Sequence, residues 1–305
     1  MTMPISLQAG QSLASHRLLR AIGQGASGTV FLAEHETSGA VVAMKVVVLP
    51  PGAGGTGTGT GTGAGTGTGG HDAAGQQFLQ AAQAAMRLRH PGIVEVFAAG
   101  LQGRLAWLTM EPVPGSDLVR YTQAPRLLPE AVVLRIAARL AQALAHAHRQ
   151  GVVHRDLKPA NVRVNWADDA VKLLDLGLAR SNSGVETQTG ALLGTPLYMA
   201  PEQLAGALPS PASDFYALGV LMFELLSGRL PHEPTTSMGD LLRRIAQEPA
   251  PDLLALRPAL PATLGSWVAR LLAKAPAARP TDGQALAAAL QILGASLPGG
   301  GAKSR

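Results

Sequence analysis

The sequence predicts an α+β fold, in which a small antiparallel β region with one helix precedes a larger, mainly α-helical region. Three observations support this fold class. Between Ser15 and Met110 the chain carries short β-rich runs separated by turn residues. One helical pattern, at 76–90, interrupts these runs. From 129 onward the apolar residues recur mainly at helical spacing, in longer segments.

The N-terminal region, 15–111, is expected to contain several strands and one helix. The strands are predicted within HRLLRAIG, GTVFLAEH, AVVAMKVVVL, IVEVFAAG and RLAWLTM. The helix at 76–90 has one apolar face, which includes Phe78, and Pro91-Gly92 ends it. Residues 1–14 show no pattern and predict a flexible leader.

A glycine- and threonine-rich insertion, PPGAGGTGTGTGTGAGTGTGG, lies within 50–72. Such a segment cannot bury apolar area, and glycine has the most backbone entropy to lose on folding. The composition therefore predicts a disordered surface insertion. A glycine-rich phosphate loop is the alternative, but the segment contains no lysine and no strand-to-helix junction.

The C-terminal region, 112–293, is expected to be mainly helical. A long amphipathic helix is predicted at 129–150, where Gly151 ends it. Short strands are predicted near VVHR, VRVN and VKLLDL, and further helices at about 213–227, 237–247, 263–273 and 282–293. Residues 294–305 predict a flexible tail.

Composition excludes several classes of protein. Of the 305 residues 47% are hydrophobic, and the mean hydropathy of +0.17 is that of a folded chain. No apolar run approaches the roughly 20 residues of a membrane helix, and the N-terminus has no secretory pattern. We therefore expect a cytoplasmic protein without membrane insertion. The absence of cysteine excludes disulfide scaffolds, thiol catalysis and cysteine-based zinc sites.

The charge distribution argues against a nucleic-acid partner. The net charge of +5 comes from 25 basic and 20 acidic residues that are spread along the chain without a basic block. Proteins that bind nucleic acids usually concentrate their positive charge on one surface. Aromatic residues, which stack on bases, make up only 4%.

The first motif is GQGASGTV at 23–30, whose three glycines allow backbone amides to approach phosphate oxygens. This spacing alone is a weak signal, since dinucleotide-binding proteins share it. In those proteins a helix begins at the third glycine, whereas here the alternating run TVFLAEH follows. The motif therefore predicts a hairpin loop between two strands, positioned over phosphates.

The second motif is Lys45 in the run VVAMKVVV. A lysine in a buried strand is costly unless its charge meets an anion. The alternative is an edge strand, from which the amine would reach water along its apolar stem. Phosphates held under the predicted hairpin account for Lys45 better.

The third motif is VHRDLKPAN at 153–161, followed by Asp175-Leu176-Gly177 after a predicted hairpin. Asp156, Lys158 and Asn161 fall within six residues of one loop. Two carboxylate or amide oxygens from different segments suit magnesium, which takes few protein ligands and shares its shell with phosphates. A separate aspartate could then accept a hydroxyl proton while a lysine offsets charge at the transferred group. The order and spacing of these residues favour a common chemical role over a set of unrelated surface loops.

With these motifs the chain resembles the eukaryotic-type protein kinase family, and in particular bacterial serine/threonine protein kinases. The resemblance covers about 15–293. It implies a bilobal protein-kinase-like fold and an ATP-dependent enzyme that transfers the γ-phosphate of ATP to serine and threonine hydroxyls of proteins. The implied cofactors are ATP and Mg²⁺, with Mn²⁺ as an alternative metal.

The resemblance also implies roles for individual residues. Asp156 would orient and deprotonate the substrate hydroxyl, Lys158 would steady the γ-phosphate, and Lys45 would contact the α- and β-phosphates. Asn161 and Asp175 would hold the metal. The residues implied to bind ATP are Ile22, Gly23, Gln24, Gly25, Ala26, Ser27, Gly28, Val30, Ala43, Lys45, Met110, Glu111 and Val113. Among these Met110 would be the gatekeeper, and 111–113 the hinge that bonds adenine.

Structural and regulatory positions follow from the same resemblance. Glu202 lies in Ala200-Pro201-Glu202 and is expected to pair with Arg279, and Asp214 is expected to have a structural role. The implied partners are protein substrates, and a second copy of the chain if autophosphorylation requires dimerisation. Candidates for autophosphorylation are Thr187 and Thr189.

Two departures from the family pattern leave alternatives open. Ala81 stands where the helix glutamate that pairs with Lys45 is expected, so a pseudokinase or nucleotide-binding scaffold is the alternative function. Gln80 or Gln83 could serve as a neutral partner. Arg163 falls where an aliphatic residue is expected below adenine, so its guanidinium could stack under the base, or the strand could be shifted by one residue.

Overall fold

The computed structural model describes residues 7–25, 28–49, 73–176 and 196–297. The described chain forms two compact units. The first unit contains the described residues up to Arg89 and 94–113, and the second contains 90–93, 114–176 and 196–297. Predictions at Ala26 and Ser27, in the insertion 50–72, and at Thr187 and Thr189 lie outside the described residues.

The first unit is an antiparallel sheet with one helix. Its elements are β1 (Ser12–Leu13), β2 (His16–Gly25), β3 (Gly28–His35), β4 (Val41–Val48), α1 (Ala73–Met86), β5 (Val96–Gln102) and β6 (Leu105–Met110). The strand order is β1-β2-β3-β4-β6-β5. Together with the helical second unit, this sheet confirms the predicted α+β class.

One face of this sheet is covered by an apolar cluster that includes Phe31, Met44 and Val46. Leu13 belongs to the same cluster and is only 2% exposed. Because Ser12 and Leu13 pair with β2 and Leu13 fills the cluster, the ordered sheet begins inside the segment that the sequence predicts as a flexible leader.

The second unit is mainly helical. Its helices are α2 (Glu130–Arg149), α3 (Pro201–Leu204), α4 (Pro211–Ser227), α5 (Met238–Gln247), α6 (Leu253–Leu256), α7 (Ala262–Leu271) and α8 (Gly283–Ala295). Its strands, β7 (Ser116–Asp117), β8 (Val162–Asn165) and β9 (Ala170–Leu173), form a second antiparallel sheet. Short 3₁₀ turns lie at Leu118–Tyr121, Pro159–Asn161, Pro196–Tyr198 and Pro276–Ala278. Of the helices in the described ranges, none has the length and apolar character needed to cross a membrane.

Two features of the second unit differ from the sequence prediction. The strand predicted near VVHR is absent, because the backbone N–H groups of His154 and Arg155 donate to the carboxylate of Asp214 instead of a strand partner. Residues 90–93 fall within the predicted N-terminal region but pack with the second unit. They do so because Leu173 N donates to Gly92 O at 2.9 Å and Ile93 bridges to Leu173.

The pair expected between Glu202 and Arg279 is present in the second unit. Arg279 is 1% exposed, and its Nη1 and Nη2 donate to the two carboxylate oxygens of Glu202 at 2.7 and 2.8 Å. The remaining three donors go to backbone carbonyl oxygens of Ala212, Ala273 and Lys274. All five guanidinium N–H groups are therefore used, as a buried arginine requires.

The protonation of Glu202 is set by this environment. Burial by itself would raise the pKa of its carboxyl, but hydrogen bonds from Arg279 and Ser213 and the guanidinium charge bring the pKa below the usual range. A carboxyl whose pKa is lower in the folded than in the unfolded chain contributes stability that is present at neutral pH and lost in acid.

We predict that Glu202→Gln lowers the free energy of unfolding at neutral pH by about 3 kcal/mol, because it leaves a buried guanidinium without its counter-charge. The loss should shrink as the pH falls below about 4.3, where unfolded glutamates protonate. Urea unfolding at several pH values measures both effects. Glu248→Gln, in an exposed ion pair with Arg243 and Arg244, should cause little loss at neutral pH. Equal losses of unfolding free energy in the two variants would contradict the role of Glu202 as the buried counter-charge of Arg279.

A close approach between α4 and α7 occurs at Gly219. A Cβ added there would lie 2.7 Å from Leu271 Cβ and 3.2 Å from Leu271 C. Gly239, on α5, offers a comparison, since a Cβ there would be no closer than 3.9 Å to Ser237 Oγ. Only the first glycine is thus required by packing.

We predict that Gly219→Ala destabilises the protein by about 1–3 kcal/mol, the usual cost of overpacking a core. Gly239→Ala should be neutral or stabilise by up to about 1 kcal/mol, because it reduces the entropy of the unfolded chain. Equilibrium urea unfolding compares the two variants. A Gly219→Ala variant as stable as Gly239→Ala would show that the two helices can separate at no cost.

Candidate active site

Five of the residues predicted to bind ATP lie on one face of the first sheet. Val30 is paired with Lys45, and Ala43 with Met110, in neighbouring antiparallel strands. Gly23 is paired with Val30. Paired residues share a face, as do residues two apart on one strand, so the register brings the five together. The apolar cluster of the first unit occupies the opposite face.

Lys45 is buried on a central strand. Its strand, β4, lies between β3 and β6 in the sheet, and Lys45 is 2% exposed. The alternative of an edge-strand lysine that reaches water is therefore wrong. Lysine is almost never fully buried unless it is paired. Packing in the apolar cluster does not account for Lys45, because its side chain lies on the opposite face of the sheet.

The glycine motif forms the hairpin end of β2 and β3. Gly23, Gln24 and Gly25 are exposed, Ile22 is half-buried, and Gly25 is paired with Gly28. Gly28 has φ of 120°, and a Cβ there would lie 2.3 Å from Val46 O. Only glycine can occupy this position, and the hairpin agrees with the strand-to-strand loop predicted from the sequence.

The segment after β6 holds the three predicted hinge residues. Met110, the last residue of β6, is 7% exposed. Glu111 N donates to Glu95 O at 3.0 Å, and Glu111 Oε1 accepts from Glu95 N at 2.9 Å. Pro112 has no N–H. Of the backbone N–H groups in 111–113, that of Glu111 is thus already bonded within the first unit.

In the second unit, two of the predicted catalytic and metal-binding side chains converge on the carboxylate of a third, Asp156. Lys158 Nζ donates to Asp156 Oδ2 at 2.8 Å, and Asn161 Nδ2 donates to the same oxygen at 3.0 Å. Asn161 Nδ2 also donates to Asp156 O at 2.7 Å. These bonds within 156–161 hold the carboxylate, the ammonium group and the amide next to one another.

Asp214 fixes the backbone just before this aspartate. Its two carboxylate oxygens accept from His154 N at 2.8 Å and Arg155 N at 2.9 Å, and His148 Nε2 lies 2.7 Å from Oδ2. Asp214 is 1% exposed and lies in the first turn of α4, where the helix dipole favours a negative charge. Arg155 has φ of 68°, an uncommon conformation that these bonds support.

His154 connects the loop of Asp156 to the segment of Asp175. Asp156 N donates to His154 Nδ1 at 3.2 Å, so the neutral ring carries its proton on Nε2. That nitrogen lies 2.8 Å from Leu174 O. Leu174 N in turn donates to Asn161 O at 2.8 Å. Asp175, with φ of 55°, follows directly, so this backbone bond links Asn161 to the residue before Asp175.

The positioning role of the two histidines, His148 and His154, is not evident from the sequence. His154 was visible in the motif VHRD, but its partner Leu174 lies twenty residues later. His148 was visible only as a basic residue in the last turn of a predicted helix. The structural role expected for Asp214 is the signal that could have indicated His148, because a buried carboxylate needs hydrogen-bond donors.

Arg163 lies on the strand face opposite the core of the second unit. Val162 and Val164 are at most 1% exposed, whereas Arg163 is half-buried. The pairs Val162 with Leu173 and Arg163 with Lys172 show no register shift in β8 and β9. The alternation predicted from the sequence is therefore present.

Helix α1 presents no acidic residue. Its sequence is AAGQQFLQAAQAAM, with Phe78, Ala82 and Ala85 buried. Ala81 is half-buried, while Gln80 and Gln83 are both exposed. The helix therefore offers no carboxylate as a partner for Lys45.

Comparison with known proteins gives one consistent result. The model of the family described as protein kinase domain matches residues 16–291. The chain is 33% identical over 296 residues to serine/threonine-protein kinase pkn3 of Myxococcus xanthus, covering 93% of this chain and 51% of that protein. It is 30% identical over 262 residues to serine/threonine-protein kinase PrkC of Bacillus subtilis, covering 86% and 38%. The chain thus spans about half the length, or less, of these relatives.

A solved structure agrees with these relatives. The crystal structure of the Mycobacterium tuberculosis PknI kinase domain superposes with a TM-score of 0.70 at 30% identity, covering 94% of this chain and 100% of that chain. The predicted bilobal kinase class and the resemblance to bacterial serine/threonine kinases are thereby confirmed. The chain belongs to the protein kinase family.

Proposed function

We propose that the chain is an ATP-dependent serine/threonine protein kinase. The observation that carries the proposal is the convergence of Lys158 and Asn161 on the carboxylate of Asp156. The arrangement supplies a proton acceptor, a cation and a metal-ligand amide within one loop. The names of the bacterial relatives support the same activity.

The first unit would bind the nucleotide. The exposed backbone of Gly23 and Gly25 would approach the phosphates, and Lys45 would contact the α- and β-phosphates. Met110 and Ala43, on the same sheet face, would contact the base. The segment 111–113, which follows Met110, would offer backbone hydrogen bonds to adenine, as the resemblance to the family implies.

The donor set of the second unit fits magnesium or manganese. Asn161 and Asp175 supply oxygen ligands, which these hard cations prefer. Because Asn161 Nδ2 makes both bonds to Asp156, its Oδ1 is the atom that would face the metal. When bound, the metal would neutralise charge on the phosphates.

Asp156 would act on the acceptor. Its carboxylate would orient the serine or threonine hydroxyl and accept its proton as the hydroxyl oxygen bonds to the γ-phosphorus. The bond between that phosphorus and the β,γ-bridging oxygen breaks, and ADP leaves. Lys158, 2.8 Å from Asp156 Oδ2, would offset the negative charge of the transferred group. Asp214 and His154 would hold this geometry without touching substrate.

Several further expectations stay predictions from the sequence. They are autophosphorylation at Thr187 and Thr189, dimerisation in support of it, a cytoplasmic location, and partners that are proteins and not nucleic acids. Arg155 would supply a counter-charge to a phosphorylated threonine.

We predict that Asp156→Asn lowers phosphoryl transfer by at least about 100-fold, the usual contribution of a general base. The amide keeps the shape of the side chain but cannot accept the proton. Transfer from radiolabelled ATP with magnesium, to the chain itself and to a basic protein, measures the effect. Mass spectrometry then maps the phosphorylated residues.

Asp168→Asn is the matched control, since Asp168 is exposed in the turn between β8 and β9 and should leave transfer unchanged. Undiminished transfer in Asp156→Asn would refute the assigned base. Nucleotide binding without transfer in the wild type would favour the alternative, a pseudokinase or nucleotide-binding scaffold, which the absence of acid in α1 motivates.

We predict that Ala81→Glu raises the transfer rate by about tenfold, because one hydrogen bond between charged groups contributes about 1.5 kcal/mol. The new carboxylate would restrain the amine of Lys45, as the family's helix glutamate does. Steady-state rates at saturating ATP measure the change.

Gln83→Glu adds the same charge on the exposed side of α1 and should leave the rate as it is. If Ala81→Glu and Gln83→Glu behaved alike, the missing helix glutamate would not limit this enzyme.

A further inference from the structure

Four basic side chains lie near one another in the second unit, outside the predicted catalytic residues, since His146, Arg149 and Lys172 all interact electrostatically with His90. They come from three separate parts of the chain: His90 precedes Pro91-Gly92, His146 and Arg149 lie in the last turn of α2, and Lys172 lies on β9. His146 and Arg149 are three residues apart, so they share a face of the helix.

Close backbone packing brings the three segments together. Leu173 N donates to Gly92 O at 2.9 Å, which holds the 90–93 segment against β9. A Cβ on Gly92 would lie 3.4 Å from Ala143 Cβ, which places the same segment against α2. Lys172 alternates with the buried residues Val171 and Leu173, so its side chain leaves the core face of β9.

The two imidazoles lie side by side with one nitrogen unsatisfied. Their ring centroids are 5.2 Å apart. His90 Nδ1 accepts from Gly92 N at 3.0 Å, so a neutral ring offers its Nε2–H as a donor. Within the described ranges, His146 Nε2 is enclosed and has no hydrogen-bond partner. Since buried polar groups in folded proteins are nearly always hydrogen-bonded, this nitrogen requires an explanation, and a bound ion is one.

The charge around His90 is positive. Burial, followed by His146, Arg149 and Lys172, lowers the pKa of His90. Positive neighbours oppose a metal cation, although two imidazoles could otherwise bind one. They favour a small anion, and imidazole, guanidinium and ammonium groups together form a set of donors that suits phosphate oxygens.

The helix dipole gives only part of the explanation. The negative end of α2 attracts basic residues to its last turn, but the effect is equivalent to about half a unit charge and falls off within that turn. It accounts for Arg149 and for a histidine at 146. It does not account for Lys172, which is on a strand, or for the unsatisfied His146 Nε2.

We propose that His90, His146, Arg149 and Lys172 form a binding site for a phosphoryl group, carried on a phosphorylated serine or threonine or supplied as free phosphate. Arg149 and Lys172 supply the charge. His90 donates through Nε2, and the unpartnered His146 Nε2 is the second donor.

An anion at this site connects the segments that lead to the predicted catalytic residues. The end of α2 at Arg149 is followed after six residues by Asp156, and β9 ends two residues before Asp175. A phosphoryl group bridging Arg149 and Lys172 would therefore restrain both segments and bias the geometry of the loop. This regulatory consequence rests on the proposed kinase activity, whereas the binding itself does not.

The test is an anion titration of the full chain at constant pH and constant ionic strength. Phosphate, phosphoserine in a short peptide, and chloride are compared, and the imidazole signals of His90 and His146 are followed by NMR. Variants Arg149→Gln and Lys172→Gln remove the charge, and Arg126→Gln is the control because Arg126 is an exposed arginine outside the cluster. Far-UV circular dichroism and binding of an ATP analogue are recorded for each variant.

We expect saturable shifts with phosphate or phosphoserine, a dissociation constant in the millimolar range, and weakening of about tenfold in Arg149→Gln and Lys172→Gln but not in Arg126→Gln. Tighter binding of the phosphopeptide identifies a phosphorylated protein as the source, and tighter binding of phosphate identifies the free ion. Shifts that do not saturate, or that are equal in Arg149→Gln and Arg126→Gln, overturn the proposal. If the wild-type chain showed the saturable histidine shifts but transferred no phosphate from ATP, the proposed kinase activity would be refuted and the anion site would stand.

Discussion

The buried carboxylate of Asp214 is the constraint on which the geometry of the second unit depends. Burying an ion costs several kcal/mol, and three hydrogen bonds to charge, each worth about 1.5–3 kcal/mol, offset that cost. Two of them come from the backbone of His154 and Arg155 and one from the ring of His148. Without this acceptor the residue before Asp156 would have no support for its left-handed backbone conformation.

The same end of α4 serves a second ionic group. Ser213, one residue before Asp214, donates to Glu202 Oε1 at 2.8 Å, and Glu202 is bound by Arg279. Two adjacent residues on a nearly fully buried helix therefore hold the catalytic loop on one side and the segment around Pro201 on the other. The start of α4 thus supports both the loop that contains Asp156 and the segment that contains Glu202.

Residue patterns predicted features that depend on local residue types, whereas a distant pair such as Glu202–Arg279 was expected only through the family resemblance. The hairpin at Gly23–Gly28 and the loop of Asp156, Lys158 and Asn161 follow from short patterns whose chemistry is local. The role of His154 depends on Leu174, twenty residues later. The burial of Leu13 depends on an apolar cluster that includes the distant residues Met44 and Val46, so periodicity within 1–14 could not indicate it. The absent strand at VVHR has the same origin, because its N–H groups bond to a side chain of α4.

The position of 90–93 has a consequence for dissecting the chain. These four residues belong to the second unit, although they are flanked on both sides by the first. A cut after Val113 would produce a C-terminal fragment that lacks Gly92 and Ile93, so the backbone of Leu173 would lose its neighbour. No single cut in the chain therefore separates the two units completely. To express the second unit on its own, residues 90–93 would have to be joined to its fragment.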